Sequence, residues 1–138
     1  MIYLDYNATA PLSLFARQAW IEAQEDGWAN PSSIHEPGSR ARHRLDQAKA
    51  AIARALGCRA HELVMTSGGT EANATAIRSA LAQAGPGAEI VCSAIEHSSV
   101  LRNAAALGAL RLVAVDACGR VSSQALAAAI SPRTRLVC

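Results

Sequence analysis

Lysine and aromatic residues are scarce in this chain. Lys49 is the only lysine, and aromatic residues make up 4% of the 138 positions. The formal net charge is +2, which is too small to indicate binding to nucleic acid or to a membrane surface. Hydrophobic residues make up 51% of the chain, an ordinary composition for a globular protein. The length is sufficient for one domain with a hydrophobic core.

Long apolar runs, paired cysteines and a leader pattern are also absent. No apolar stretch approaches the ~20 residues of a membrane-spanning helix, and the first residues lack the basic and then apolar order of a secretory signal. The cysteines stand far apart with no Cys-x-x-Cys pair, which argues against a zinc site or a disulfide framework. We therefore expect a cytoplasmic protein with no metal and no membrane contact. The four cysteines are Cys58, Cys92, Cys118 and Cys138.

The hydrophobic spacing predicts alternating helices and strands. Apolar residues at steps of three and four predict a helix over 38–56, ended by Gly57. The predicted strands do not alternate polar with apolar residues, so we expect them to be buried on both faces. The predicted class is therefore α/β, with a mostly parallel sheet and helices on both faces. Further helices are predicted over 70–84, 98–107 and 124–130, and strands over 1–5, 63–65, 90–92, 112–115 and 135–138.

The last predicted strand contains the last residue of the sequence. Because a buried strand of a parallel sheet normally leads into another helix, we expect a piece of a longer protein or a chain completed by a partner. We divide the sequence into an N-terminal segment, 1–35, with a strand, a helix and a loop, and a larger but incomplete domain, 36–138.

A glycine-containing turn is the first candidate site. The run Thr66-Ser67-Gly68-Gly69-Thr70-Glu71-Ala72-Asn73 joins a predicted strand to a predicted helix. Free backbone N–H groups and the positive end of the helix dipole meet at such a turn and favour an anion. Glycine lets a phosphate approach the backbone, and the Thr70 hydroxyl can donate another hydrogen bond. The alternative is an ordinary turn capped by Ser67 or Thr70.

A histidine marks the second candidate site. His97, in Glu96-His97-Ser98-Ser99-Val100, follows the strand predicted over 90–92. Ligands of parallel sheets bind at the carboxyl ends of the strands, so we expect the glycine turn and His97 at the same edge. An imidazole there could stack on a cofactor ring or act as general acid or base. The alternative is a helix-start histidine bonded to backbone.

Two further features lie between residues 30 and 44. The run Asn30-Pro31-Ser32-Ser33-Ile34-His35, followed by Gly38, is either the mouth of an active site or an ordinary polar loop. Arg40, Arg42 and Arg44 flank the apolar stripe of the predicted helix and have no interleaved aromatic residue, so a solvated helix surface is favoured over a nucleic-acid site.

Four ordered motifs resemble the cysteine desulfurases of the class V aminotransferase family. They cover nearly the whole chain, which makes the resemblance more specific than any single motif. The motifs are Tyr3-Leu4-Asp5-Tyr6-Asn7-Ala8-Thr9-Ala10-Pro11, the Asn30–His35 run with Gly38, the Thr66–Asn73 run, and Glu96-His97-Ser98-Ser99-Val100-Leu101.

The resemblance implies a homodimeric fold-type-I enzyme that uses pyridoxal 5′-phosphate. Residues 36–138 would then be the first part of its cofactor-binding large domain, whose full sheet has seven strands. Gly69 and Thr70 would bind the cofactor phosphate, and His97 would stack on the pyridine ring and assist proton transfer. Asn7, Asn30 and His35 would lie near the substrate entrance.

The implied reaction moves sulfur from L-cysteine to an enzyme cysteine as a persulfide and releases L-alanine, with the cofactor as electron sink. A sulfur-acceptor or scaffold protein for iron–sulfur cluster or thio-cofactor assembly would be a partner. The family's Schiff-base lysine follows a histidine, and no His-Lys pair occurs here. Lys49 is predicted to be a surface residue. The family's pyridine-pairing aspartate, substrate arginine and persulfide cysteine have no match either, so we expect the 138 residues alone to be inactive.

Other hypotheses stay open at this point. A selenocysteine lyase, a kynureninase-like enzyme or an aminotransferase of the same family would share these four motifs. A non-catalytic remnant, or a half that functions only with a partner chain, is a hypothesis of a different class.

Overall fold

The computed structural model describes residues 2–138, which form two compact units, one up to Val64 and the other Met65–Cys138. The first unit contains helices α1 (Leu14–Asp26) and α2 (Glu36–Leu56) and a short 3-10 turn (Ala60–Glu62). The second unit contains, in chain order, α3 (Gly69–Ala84), β1 (Glu89–Ser93), α4 (Ser98–Ala106), β2 (Leu110–Val113), α5 (Ser123–Ala129) and β3 (Thr134–Val137).

Helix α2 confirms the helix predicted from the apolar stripe, and its ends follow from local chemistry. Nδ1 of His35 accepts the backbone N–H of Gly38 and caps the first turn. Pro37 lies in that turn, where its missing N–H costs nothing. The helix ends at Gly57, whose φ of 69° is the left-handed conformation that glycine adopts without strain.

A three-stranded parallel sheet with the order β2-β1-β3 forms the centre of the second unit. Ile90 of β1 pairs with Leu110 of β2 on one side and with Leu136 of β3 on the other. Ile90 and Cys92 are buried in a cluster with residues of α3 and α4, whereas Val91 is buried in a second cluster with α5. Helices therefore cover both faces of β1, and the predicted α/β class is confirmed.

Two predicted strands are wrong or displaced. Residues 63–65 form no strand, and Val64 and Met65 are exposed. A strand needs a neighbour for its backbone hydrogen bonds, and the part of the chain described here places none beside this segment. The strand predicted over 112–115 is β2, which ends at Val113, because Val115 leaves the sheet and forms an isolated bridge with Val121.

The expectation that every strand is buried on both faces holds only for β1. Leu112 of β2 is 56% exposed and Val137 of β3 is 44% exposed. Both strands lie at the edges of a three-stranded sheet, where the helices cover less of each face. Residues 2–5 are irregular and lead into a turn over residues 6–8, so the strand expected there is not seen in this part. Met1 lies outside the described residues.

The predicted boundary between residues 35 and 36 refers to domains of a complete enzyme and stays a prediction. Among the described helices, none combines the length and the apolar character needed to cross a membrane.

Candidate functional site

Helix α3 begins without a side-chain cap. Its N-cap residue is Gly68, and neither Ser67 nor Thr70 caps the helix, so the alternative of an ordinary capped turn is not observed. Within residues 2–138, no acceptor takes the backbone N–H of Gly69, Thr70 or Glu71. The first turn of α3 therefore offers free N–H groups together with the positive end of the helix dipole.

Open space lies beside both glycines of this turn. A Cβ placed on Gly68 or on Gly69 would meet no protein atom within 4 Å. The φ of Gly68 is 163°, an extended backbone that any residue adopts, so conformation does not require glycine there. Thr70 is exposed beside this space. The turn has the room and the donors to accept a ligand group of phosphate size.

The side chain of Glu71 binds one backbone N–H of the same turn. The Glu71 carboxylate accepts the backbone N–H of Ser67 at 2.6 Å. This hydrogen bond holds the pKa of Glu71 below its usual range. The carboxylate thus uses the N–H of Ser67 and leaves those of Gly69 and Thr70 without an acceptor.

His97 is the N-cap of helix α4, which follows β1. Its Nδ1 accepts the backbone N–H of Ser99 at 3.1 Å and lies 2.7 Å from Oγ of the same residue. The alternative of a helix-start histidine bonded to backbone is thus observed. The side chain is nevertheless exposed, and its Nε2 has no partner among residues 2–138. The outer part of the ring is free to meet a ligand.

A hydrogen bond between α3 and α4 brings the two candidate sites together. Nδ2 of Asn73, in the second turn of α3, donates to Oγ of Ser99 at 2.8 Å. Because Gly69 and Thr70 lie within one turn of Asn73, and Ser99 lies two residues from His97, the N-terminal ends of both helices are side by side. The glycine turn and His97 therefore form one candidate site in the second unit.

Sequence reasoning quoted Asn73 and Ser99 within motifs but gave them no role. A signal for Asn73 was available, since it lies four residues before Ile77 on the apolar stripe of α3. A polar side chain on a stripe that faces the core needs a hydrogen-bond partner. Ser99 is buried, and Asn73 and His97 together satisfy its hydroxyl.

The residues predicted to lie near a substrate entrance belong to the first unit. Asn30 Oδ1 accepts the N–H of Ser32, and Asn30 O accepts that of Ser33, so the loop is tightly folded. His35 caps α2 from the end of this loop. Asn7 is exposed in the turn over residues 6–8. The structure joins Asn30 and His35 in one loop, and their roles stay predictions.

Arg40, Arg42 and Arg44 of α2 are paired with carboxylates on an exposed helix surface, as expected for a solvated face. The ion pairs are Arg40–Glu36, Arg42–Asp46 and Arg44–Asp26.

None of the cysteines lies in the candidate site's hydrogen-bond network. Cys92 is fully buried, and burial together with the neighbouring Cys138 raises the pKa of its thiol to about 12. Burial also raises the pKa of Cys138. Cys118 is exposed in a turn, where its N–H is accepted by the Asp116 carboxylate. Cys58 is half-buried.

Many known proteins match this chain in sequence or in structure. The family described as "Aminotransferase class-V" matches residues 2–138. A cysteine desulfurase of Bradyrhizobium diazoefficiens is 41% identical over 98% of this chain. Two solved structures also match: SspA in complex with cysteine, with a TM-score of 0.86 and 31% identity over 98% of this chain, and a NifS-like protein, with 0.88 and 26% over 99%.

The chain spans only part of each of these proteins. It covers 36% of the Bradyrhizobium relative, 40% of the SspA chain and 39% of the NifS-like chain. The family match nevertheless extends over residues 2–138, and the cysteine desulfurase resemblance inferred from four motifs is confirmed. On this match, the chain belongs to the aminotransferase class-V family.

Proposed function

We propose that this chain is the N-terminal part of a pyridoxal-phosphate-dependent cysteine desulfurase. In the complete enzyme, sulfur of L-cysteine would pass to an enzyme cysteine as a persulfide, and L-alanine would be released. The persulfide sulfur would then serve iron–sulfur cluster or thio-cofactor assembly. The observation that carries the proposal is the uncapped start of α3 beside the exposed ring of His97. Cysteine desulfurases among its relatives support the choice of reaction.

The phosphate of the cofactor fits the first turn of α3. The free N–H groups of Gly69 and Thr70 would bind its oxygens, and the Thr70 hydroxyl would add one more donor. The open space beside Gly68 and Gly69 allows the anion to approach the backbone closely. The helix dipole favours the negative charge at this end.

His97 would contact the cofactor ring from the start of α4. Its Nδ1 is held by the backbone of Ser99, so the outer nitrogen, Nε2, is the atom that would hold or move a proton at the substrate. The bound cofactor would supply an electron sink for the carbanion chemistry of the substrate. Asn7, Asn30 and His35 are proposed to line the substrate entrance.

Several groups that the reaction needs would come from outside these 138 residues. Lys49, the only lysine, lies on α2 in the first unit and follows no histidine. The covalent lysine, the substrate arginine and the persulfide cysteine are therefore proposed to belong to the rest of the enzyme. A homodimer partner, a sulfur-acceptor protein and a cytoplasmic location are proposed with them, and one structural relative is a complex with cysteine.

The phosphate site can be tested by ligand binding to this chain. Pyridoxamine 5′-phosphate is the suitable probe because its amine forms no imine with Lys49, and pyridoxamine is the same molecule without phosphate. Calorimetry should show tighter binding of the phosphorylated probe. Thr70→Ala removes one donor, and Gly69→Ala places a methyl group in the space proposed for the anion and holds it away from the backbone N–H groups. Each variant should weaken binding by about 10- to 100-fold, the loss expected for one or two charge-assisted hydrogen bonds.

Matched controls separate a lost site from a lost fold. Thr75→Ala changes an exposed threonine further along α3 and should leave binding unchanged. Gly69→Ala should leave the circular dichroism spectrum and the unfolding midpoint unchanged or raise the midpoint, since its methyl group meets no protein atom. If the phosphate adds nothing to the affinity, or if both variants bind as tightly as the parent, the proposed site is wrong.

A further inference from the structure

Three side chains from two helices form a directed chain of hydrogen bonds behind the ring of His97. Nδ2 of Asn73 lies 2.8 Å from Oγ of Ser99, and that Oγ lies 2.7 Å from Nδ1 of His97. The backbone N–H of Ser99 points at the same Nδ1 from 3.1 Å. Ser99 is 6% exposed, so water does not compete freely for its hydroxyl.

The direction of each bond follows from which groups can only donate. A backbone N–H is always a donor, so Nδ1 of His97 accepts and carries no proton. The amide nitrogen of Asn73 is also only a donor, so it occupies a lone pair of the Ser99 oxygen. The Ser99 hydroxyl hydrogen is then free to point at Nδ1. Both arguments, one from the backbone and one from side chains, assign an acceptor role to the same nitrogen.

We propose that Asn73 and Ser99 are positioning residues that hold His97 as the neutral tautomer with its proton on Nε2. In a neutral imidazole one nitrogen donates and the other accepts, and the partner of the inner nitrogen decides the state of the outer one. The network thereby presents an N–H donor, and not a lone pair, at the exposed side of the ring. It also fixes the ring to α3 and α4 together.

The chemical use of this arrangement rests on the proposed function. An Nε2–H beside a bound ligand donates a hydrogen bond from the neutral ring, and the ring gives up that proton only when Nδ1 is also protonated, because the loss would otherwise leave an imidazolate anion. Asn73 and Ser99 would therefore make His97 a hydrogen-bond donor toward the ligand in the resting enzyme. Neither residue needs to touch the substrate or the cofactor.

The tautomer can be measured without any ligand, which keeps this test separate from the phosphate-binding test. Two-bond proton–nitrogen correlation NMR of histidine-labelled protein distinguishes a protonated from an unprotonated ring nitrogen at the alkaline limit of a pH series. His97→Ala assigns the His97 signals among the four histidines. His35, whose Nδ1 accepts the N–H of Gly38 in the first unit, is an internal reference that the variants should not change.

The variants reverse, remove or retain the network. Asn73→Asp replaces the donor by an acceptor, draws the Ser99 hydroxyl hydrogen away from His97 and should move the proton toward Nδ1. Ser99→Ala leaves only the backbone donor and should lower the ratio of the Nε2–H to the Nδ1–H form about 2- to 10-fold, as for loss of one hydrogen bond. Ser99→Thr retains the hydroxyl and should keep the parent ratio.

Ser98→Ala is the matched control, because Ser98 is the exposed neighbour whose side chain makes no hydrogen bond within residues 2–138. The proposal is overturned if the parent protein carries its proton on Nδ1. It is equally overturned if Ser99→Ala and Asn73→Asp keep the parent ratio, or if Ser98→Ala changes it as much as they do. Should one variant fail to fold, the parent tautomer and the Ser99→Thr spectrum still decide the matter.

Discussion

Replacing Gly38 by alanine should destabilise the first unit, although helix propensity alone predicts the opposite. Gly38 lies in the first turn of α2, and alanine is favoured over glycine within a helix by ~1 kcal/mol. A Cβ on Gly38, however, would lie 2.5 Å from the carbonyl oxygen of Ser33, 2.8 Å from Ser33 Cβ and 2.9 Å from the carbonyl oxygen of Asn30. Two of these three atoms are backbone, so no side-chain rotation relieves the clash.

The magnitude follows from the two opposing contributions. Forcing an extra methyl group into a closely packed site costs roughly 1–3 kcal/mol, and backbone neighbours place this case toward the upper end. Subtracting the gain in helix propensity leaves a net loss of about 1–2 kcal/mol in the free energy of unfolding. The loop must move away from α2, which would also weaken the His35 cap on the Gly38 N–H.

Tryptophan fluorescence during urea unfolding is the suitable assay, because Trp20 and Trp28 both lie in the first unit. The midpoint should fall without a change in slope, which marks a loss of native stability. Gly69→Ala is the control, followed by circular dichroism, because its methyl group enters open space at another helix start. An unchanged or higher midpoint for Gly38→Ala would refute the reasoning, since it would mean that the loop yields to α2 without cost.

Two further predictions concern thiol reactivity and turnover. Iodoacetamide at pH ~8 should label the exposed Cys118 well before Cys92, because a pKa of about 12 leaves roughly one Cys92 thiol in ten thousand ionised. Raising the pH toward that pKa should speed the labelling of Cys92. Peptide mass mapping that finds Cys92 modified first would contradict the assignment of a buried thiol. This chain alone, supplied with pyridoxal 5′-phosphate and L-cysteine, should release no alanine or sulfide above an enzyme-free control, because its only lysine is Lys49 on α2. Release above that control would show that the covalent anchor is dispensable or lies within these residues.

The elements that the sequence predicts well are those whose signal is local. Helix α2 has a long apolar stripe, a histidine cap and a terminal glycine, and all three are properties of neighbouring residues. Strand β1 is predicted because a short, fully apolar run stands between a turn and a polar motif. Its burial on both faces follows from the helices that pack there, α3 and α4 on one face and α5 on the other.

The failures all depend on partners distant in the chain. The segment 63–65 has the composition of a strand but no neighbour among the described residues. The end of β2 is set by pairing of Val113 with Ser93 of β1, and hydropathy cannot locate that register. The Asn73–Ser99 bond joins residues 26 positions apart, so motif reading found both residues without finding the bond.

The start of α3 differs from the other helix starts in a way that favours a binding role over a purely structural one. The N-cap side chains of α1, α2, α4 and α5 each accept a backbone N–H of their own helix; these caps are Ser13, His35, His97 and Ser122. Such a cap is worth ~1 kcal/mol relative to alanine and roughly a few tenths of a kcal/mol relative to glycine, which supplies no side-chain hydrogen bond. The sequence therefore forgoes this side-chain hydrogen bond at α3 and keeps one at each of the other four α-helices of residues 2–138. Because the uncapped turn also faces open space and lies beside His97, it supports the proposal that a ligand anion binds in place of a cap.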